Sequence, residues 1–286
     1  MTSNPTVQSS SLETIKNREA AITQPPAQAS VQTAAYTLVI ADIHLQPEAD
    51  HPINLAFKQF LVEQAPKAEA LYILGDLFEM WVGDDIGALQ YSAAIQQLNA
   101  LTDSGTPVYI QFGNRDFLMR KKFWQATGAT YLKEPYPVTL YGTPYLMLHG
   151  DALCTDDKAY QRLRRVFRSK LFAFIFLGLC HRRRLAIGNK MRQSSQKHSQ
   201  NKSSEIMDVN ASAVLKDFSR FPEVQHMIHG HTHRPAHHII QQSDSNNIHT
   251  KPVLNRWVLG DWRPDAQIIK ISHTGIELLT YPEHSK

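Results

Sequence analysis

The stretch His229-Gly230-His231-Thr232-His233-Arg234-Pro235 constrains this chain more than any other. It sets three histidines at alternate positions directly after the apolar pair Met227-Ile228. Alternate residues of an extended strand face the same side, and neutral imidazole is the commonest side-chain metal ligand. A single such histidine is more often an ordinary core or surface residue. Three at this spacing ask for partner ligands at the ends of other strands.

Four other apolar runs supply them. Residues 37–41 end in Asp42-Ile43-His44, and residues 71–74 in Gly75-Asp76. Residues 108–112 end in Gly113-Asn114-Arg115-Asp116, and residues 145–148 in His149-Gly150-Asp151. Each run has the length and bulk of a buried strand. Helical spacing of apolar residues predicts helices over 53–64, 89–102, 117–127 and 205–220. Short strands with Pro and Gly turns begin near Tyr131, and others are predicted at about 236–241, 253–259, 266–271 and 276–280. The implied architecture is α/β, in layered α+β form: a β-sandwich flanked by helices, spanning 36–286. A helical cap is inserted at about 156–204. Strand ends along one sheet edge are where such folds hold their ligands.

The chain has 286 residues, 42% hydrophobic and 20% charged, the balance of a soluble globular protein. Two cysteines are too few for a disulfide framework and suit a reducing compartment. Residues 1–35 are rich in Ser, Thr, Gln, Ala and Pro and lack a signal-peptide core, so a disordered tail is expected. Between Lys158 and Ser204 there are 13 Lys/Arg and no Asp or Glu, which against a net charge of +4 leaves −9 elsewhere. A basic insert on an acidic body points to an anionic partner surface, lipid or nucleic acid. The insert holds an apolar run at 171–179, too short to cross a bilayer, which takes about 20 residues. Two readings stand. The run is a buried cap helix with Arg162, Arg164, Arg165 and Arg168 as a solvated face. Or it belongs to a helix pair resting on an anionic membrane, with Arg182, Arg183 and Arg184 at the surface and acyl chains received beside Phe174 and Phe176.

The candidate ligands are Asp42, His44, Asp76, Asn114, His149, His231 and His233. Hard oxygen with borderline nitrogen suits Mn²⁺, Zn²⁺ or Fe rather than Ca²⁺. Seven ligands exceed one tetrahedral ion. They suit two ions about 3.5–4 Å apart that share a carboxylate.

The motifs Asp42-x-His44, Gly75-Asp76, Gly113-Asn114, His149-Gly150 and Gly230-His231-x-His233, in this order, resemble the calcineurin-like metallophosphoesterase family. The resemblance implies that Asp42, His44 and His233 hold one ion and Asn114, His149 and His231 the other, with Asp76 bridging. It leaves His229 as a strand-end residue. Many members carry His where Arg115 stands. Arginine donates no useful proton but clamps phosphate bidentately. A leaving group that is already good, such as the phosphate of a pyrophosphate, follows.

Longer matches at 76–85, 113–118, 149–157, 206–210 and 229–235 resemble family members of lipid A biosynthesis. These split UDP-2,3-diacylglucosamine into UMP and 2,3-diacylglucosamine 1-phosphate, with manganese. What this implies here is a hydrolase using two Mn²⁺ per chain, with water attacking the uridine-side phosphorus. Asp76, Asn114 and Arg115 would act in catalysis. Substrate contacts would fall on Asn114, Arg115, Asp157, Ser195, Lys202 and His231, and on Ser199 or, in its place, Asn201. The expected partners are the UDP-linked diacylated glucosamine and an anionic membrane surface, with no nucleic acid. The expected location is peripheral, on the cytoplasmic face of the bacterial inner membrane. The alternative within the family is a phosphodiesterase acting on nucleic acid or cyclic nucleotides. A membrane-docking protein with a degenerate metal site is the non-enzyme reading, and the seven filled ligand positions oppose it.

Overall fold

The computed structural model describes residues 35–201, 208–241, 252–263 and 265–282, without the side chains of 194–201. The tail expected at 1–35 lies outside the described residues, Ala35 apart. Chain order is β1 (Tyr36–Ile40), α1 (Pro52–Glu63), β2 (Ala70–Ile73), α2 (Asp84–Gln90), α3 (Ser92–Asp103), β3 (Val108–Ile110), α4 (Lys121–Thr127) and β4 (Thr130–Tyr131). Then come β5 (Tyr136–Leu140), β6 (Thr143–Leu148), α5 (Lys158–Phe167), α6 (Lys170–Leu177), α7 (His181–Asn201) and α8 (Ala211–Arg220). The chain closes with β7 (His226–His229), β8 (Ala236–Ile240), β9 (Leu254–Val258), β10 (Ala266–Ser272) and β11 (Gly275–Tyr281).

The strands make two sheets, ordered β11-β10-β1-β2-β3-β4 and β5-β6-β7-β9-β8. β1 through β4 run parallel, as do β6, β7 and β9. Period-two alternation sorts their side chains between cores. Leu38, Ile40, Leu71 and Ile73 face α1, α3 and α4, where Phe57, Phe60, Leu98 and Phe123 are buried. Val39, Tyr72 and Leu74 turn the other way to meet Tyr145, Met147 and Ile228 of the second sheet. Leu146, Leu148 and Met227 face outward again, onto Val214 and Phe218 of α8. The result is the layered sandwich expected, helices on both outer faces.

Three helix boundaries differ from expectation, each for a local reason. The helix predicted at 89–102 is two, because Tyr91 (φ −116°, ψ 28°) leaves helical geometry between α2 and α3. The one predicted from 117 starts at Lys121, where Asp84 accepts from the N–H groups of Arg120 (2.9 Å) and Phe123 (3.1 Å). Such a carboxylate satisfies amides that a helix N-terminus leaves unpaired. α8 begins at Ala211, capped by Asn210, whose side chain accepts from Ser212 and Ala213 N–H.

The insert between β6 and α8 forms α5, α6 and α7. It is fastened by arginines that the sequence left among a solvated face or on the membrane side. Arg164 pairs with Asp151 and Glu134, and Arg168 reaches the same two carboxylates. Arg184 is buried: it grips Asp85 and donates to the Val82 carbonyl (2.8 Å). Its expected membrane role therefore fails, while Arg182 and Arg183 remain exposed. Phe176 is likewise cap core rather than surface. Among the described residues no helix is long and apolar enough to cross a membrane.

Candidate metal centre

Five of the parallel strands end at one place. Asp42 follows β1, Asp76 follows β2, Asn114 follows β3, His149 follows β6, and His231 and His233 follow β7. The expectation that the histidines alternate along a strand is corrected here. β7 stops at His229, and both later histidines sit on left-handed backbone (φ 69° and 53°). Asp42, His44 and Asp76 adopt the same region, at φ 54°, 55° and 51°. Left-handed backbone in non-glycine residues costs free energy and gathers at functional sites. Here it turns each side chain off its strand into a common space.

The glycines of the motifs make room for this convergence. A Cβ on Gly113 would collide with the Asp76 carboxylate, and one on Gly230 with that of Asp42. Asp42 Oδ2 accepts from the His231 N–H (2.8 Å), joining the first and last motifs. Asp76 Oδ1 accepts from the Arg115 N–H (2.9 Å), joining the second and third.

The ligand atoms face one another at ligand-sharing distances. His44 Nε2 and His233 Nε2 are 3.2 Å apart, and His233 Nε2 is 3.5 Å from Asp42 Oδ1. That Asp42 oxygen is buried with no hydrogen-bond partner. His149 Nδ1 donates to the Leu74 carbonyl (2.8 Å), which points Nε2 at Asn114 Oδ1 (3.1 Å) and Asp76 Oδ1 (3.9 Å). Asp42, His44 and His233 form one group able to hold a cation, and Asp42, Asp76 and His149 another. His231 stands beside the second, its ring centroid 5.0 Å from that of His149. His229 is separate: its Nδ1 donates to Gly230 O (2.8 Å) and its Nε2 accepts from Arg256 (3.1 Å).

Electrostatics agree with a cation site. Burial, helped by the Arg115 cation, holds His44 well below the usual imidazole range, and burial with His149 nearby takes His231 down to about 3. Both are therefore neutral and offer lone pairs. Burial also opposes charge on His149, but Asp76 and Asp42 outweigh it and push that imidazole up to about 9. The field of these carboxylates holds a proton on a fully buried ring, and a divalent cation answers the same field. An orphaned carboxylate oxygen, converging imidazoles and an oxygen–nitrogen donor set together fit divalent metal ions.

Around the ligands lies a ring of acids that the sequence reading did not single out. Asp116 accepts from the N–H groups of Leu77 and Gly113, both at 2.7 Å, and so fixes two ligand loops. Glu134 accepts from His149 N–H (3.0 Å) and Asp261 lies 3.6 Å from His233 Nδ1. Asp151 accepts from Tyr160 OH (2.9 Å) and Arg164 Nε (2.7 Å) of α5. Outer carboxylates of this kind orient metal-binding imidazoles. Asp116 and Asp151 lie inside quoted motifs, which was a usable signal; Glu134 and Asp261 offered none.

A cavity of about 500 Å³ opens from the ligands toward the cap. Asp76, Asn114, Arg115, His231 and Asp157 line it, with Met80, Phe117, Leu163, Phe167 and Met191 as its apolar wall. Arg115 gives Nη1 to Glu79 (2.8 Å) and holds Nε 3.7 Å from Asp76 Oδ2. Asp157 caps α5 by accepting from Tyr160 N–H. The side chains of Ser195, Ser199 and Asn201, and the whole of Lys202, lie outside the described residues.

A family model for "Calcineurin-like phosphoesterase" matches residues 36–235. A UDP-2,3-diacylglucosamine hydrolase of Edwardsiella ictaluri (strain 93-146) is 44% identical over 248 residues, 87% of this chain and 93% of that one. The protein of the same name from Serratia proteamaculans (strain 568) is 44% identical over 246 residues, 86% and 99% of the two chains. A solved dimetal phosphatase from Danio rerio aligns with 12% identity and a TM-score of 0.42, over 87% of this chain and 99% of that one. With 200 residues matched by the family model, and the strand-end ligands all within that span, the chain belongs to the calcineurin-like phosphoesterase family.

Proposed function

We propose that this chain hydrolyses the pyrophosphate bond of UDP-2,3-diacylglucosamine to UMP and 2,3-diacylglucosamine 1-phosphate, in lipid A biosynthesis. The observation that carries the reading is a cavity with convergent ligands on one wall and an apolar cap on the other. Relatives covering most of the chain bear the matching name.

Asp42, His44 and His233 would hold one ion and Asn114, His149 and His231 the other, with Asp76 between them. When bound, such ions lower the pKa of water and neutralise charge on phosphoryl oxygens. Manganese is our assignment for both. The chain's own residues do the rest. Arg115 stands at the cavity wall with its guanidinium beside Asp76, where it takes charge on the departing sugar phosphate. Met80, Phe117, Leu163, Phe167 and Met191 receive acyl chains and exclude water. Exposed cations and apolar residues of the cap rest on an anionic membrane, at the cytoplasmic face of the inner membrane. The nucleic-acid alternative wants an open track of cations; Arg164, Arg168 and Arg184 are instead committed to ion pairs.

The deciding experiment incubates purified chain with UDP-2,3-diacylglucosamine and Mn²⁺ in ¹⁸O-water. UMP carrying the label is expected. Label in the sugar phosphate would reverse which phosphorus is attacked, and no turnover alongside rapid cleavage of a nucleic acid would replace the reading.

A further inference from the structure

A second groove, of about 610 Å³, lies outside the metal-ligand cavity. Its size falls within the ~300–1,000 Å³ of small-ligand clefts. Phe117, together with Arg164 and Phe167 of α5 and Arg168 at its C-terminal cap, lines both spaces, so the end of this helix forms part of the partition between them. Phe112, Tyr131, Phe174 and Leu177 give the groove apolar walls, and Arg120, Lys133 and Lys170 stand among them. Glu134 is the one carboxylate in that lining, and Arg164 and Arg168 already satisfy it. Arg120 spends its Nη1 on the carbonyls of Phe117 and Met119. Lys133 and Lys170 are exposed and carry charge that no acid of the lining offsets.

The adjoining surface of α6 is inverted. Leu171, Phe174 and Ile175 share a face at spacing i, i+3, i+4, and they are 68%, 79% and 57% exposed. Phe176, one residue on, is 4% exposed. Phe174 belongs to both features, so the apolar stripe runs into the groove. A greasy stripe beside uncompensated cations matches an amphiphile with an acyl chain and an anionic head.

We propose that this groove binds a molecule of anionic phospholipid from the bilayer, its phosphate between Lys133 and Lys170 and its chain along Phe112, Tyr131 and Phe174. The inference deepens the membrane part of the reading above, naming the surface and the lipid, and is independent of the reaction. Loss of pyrophosphate hydrolysis with lipid binding intact would sink that reading and leave the groove standing.

Trp124 makes the test specific, because its ring lies 6.0 Å from Phe112 and 5.6 Å from Tyr131. The full chain is mixed with vesicles of phosphatidylcholine, with or without phosphatidylglycerol brominated in mid-chain. Brominated phosphatidylglycerol should quench tryptophan fluorescence, and Trp124→Phe should remove most of the quenching. Lys133→Glu with Lys170→Glu should lower vesicle affinity at least about tenfold. Arg182→Glu with Arg183→Glu, an equal charge change elsewhere on the cap, should lower it less. Both pairs should keep wild-type cleavage of bis-p-nitrophenyl phosphate, which reports an intact fold. Equal losses from the two pairs would mean diffuse attraction and overturn the proposal. So would quenching that survives in Trp124→Phe, which would seat the chain elsewhere, beside Trp81 for instance, or equal binding to both vesicle types.

Discussion

The ligand cluster and the cap are built on opposite plans. The cluster is made of short side chains on strand ends, its backbone forced into left-handed turns and cross-tied by Asp42, Asp76 and Asp116. The cap is three helices held at both ends by long arginine side chains reaching acids distant in sequence. Arg164 of α5 and Arg168 at its C-terminal cap reach buried Asp151, and Arg184 of α7 reaches the exposed Asp85. The first plan fixes atoms to fractions of an ångström, as chemistry requires. The second leaves Leu171, Phe174 and Ile175 of α6 exposed, the surface proposed above to meet lipid. On the proposed function, binding and cleavage are carried by different regions.

The largest effect that would break this division is at Asp76. Asp76→Ala should lower turnover at least ~10³-fold on both the lipid substrate and a small soluble diester, because both need the same charge stabilisation. Side-by-side kinetics on the two substrates check it. A loss confined to the lipid would move the chemistry away from the cluster.

Next comes the tie between the regions. Arg168 donates to the carbonyls of Phe112 and Gly113, each at 3.2 Å, and to Asp151. Arg168→Met leaves buried carboxylates short of a cation and should cost about 3 kcal/mol in urea unfolding. Unchanged stability would show that α5 docks by apolar contacts alone.

Neighbouring phenylalanines sharpen the cap's two faces. Phe176→Ser should cost about 3–5 kcal/mol, as a core aromatic does. Phe174→Ser should stay within about 0.5 kcal/mol yet weaken vesicle binding. Equal destabilisation would mean that α6 has no outward face.

A last effect concerns His229, the histidine that belongs to neither plan. Burial drops its imidazole to about 4. Near pH 7 folded and unfolded chains both hold it neutral. As pH falls from about 6.5 toward 4 the unfolded chain takes the proton first, so stability is lost in that window. His229→Gln should remove about 2 kcal/mol of the difference between pH 7 and pH 4.5. An unchanged pH dependence would reassign that ring.

Much of the fold was legible because it is written in local pattern. A short apolar run followed by Asp, Asn or His marks a buried strand end, and Asp42, Asp76, Asn114 and His149 were each found that way. His231 and His233 were found for a partly wrong reason, since it is a left-handed turn and not strand alternation that presents them. The cap's fastening was illegible. Arg184 and Asp85 lie 99 residues apart, and Arg168 and Glu134 are joined only once the insert folds back onto the sandwich. An arginine in a basic run looks the same whether its acid is distant or missing.

The most direct measurement is metal content, read by elemental analysis of purified chains. Wild type should hold two ions of Mn²⁺ per chain and His233→Ala should lose about one. Asp76→Ala should lose most of both, since Asp76 Oδ2 lies 4.0 Å from His44 Nε2 and its Oδ1 3.9 Å from His149 Nε2. Two ions retained by Asp76→Ala would contradict the shared carboxylate on which the account of this centre rests.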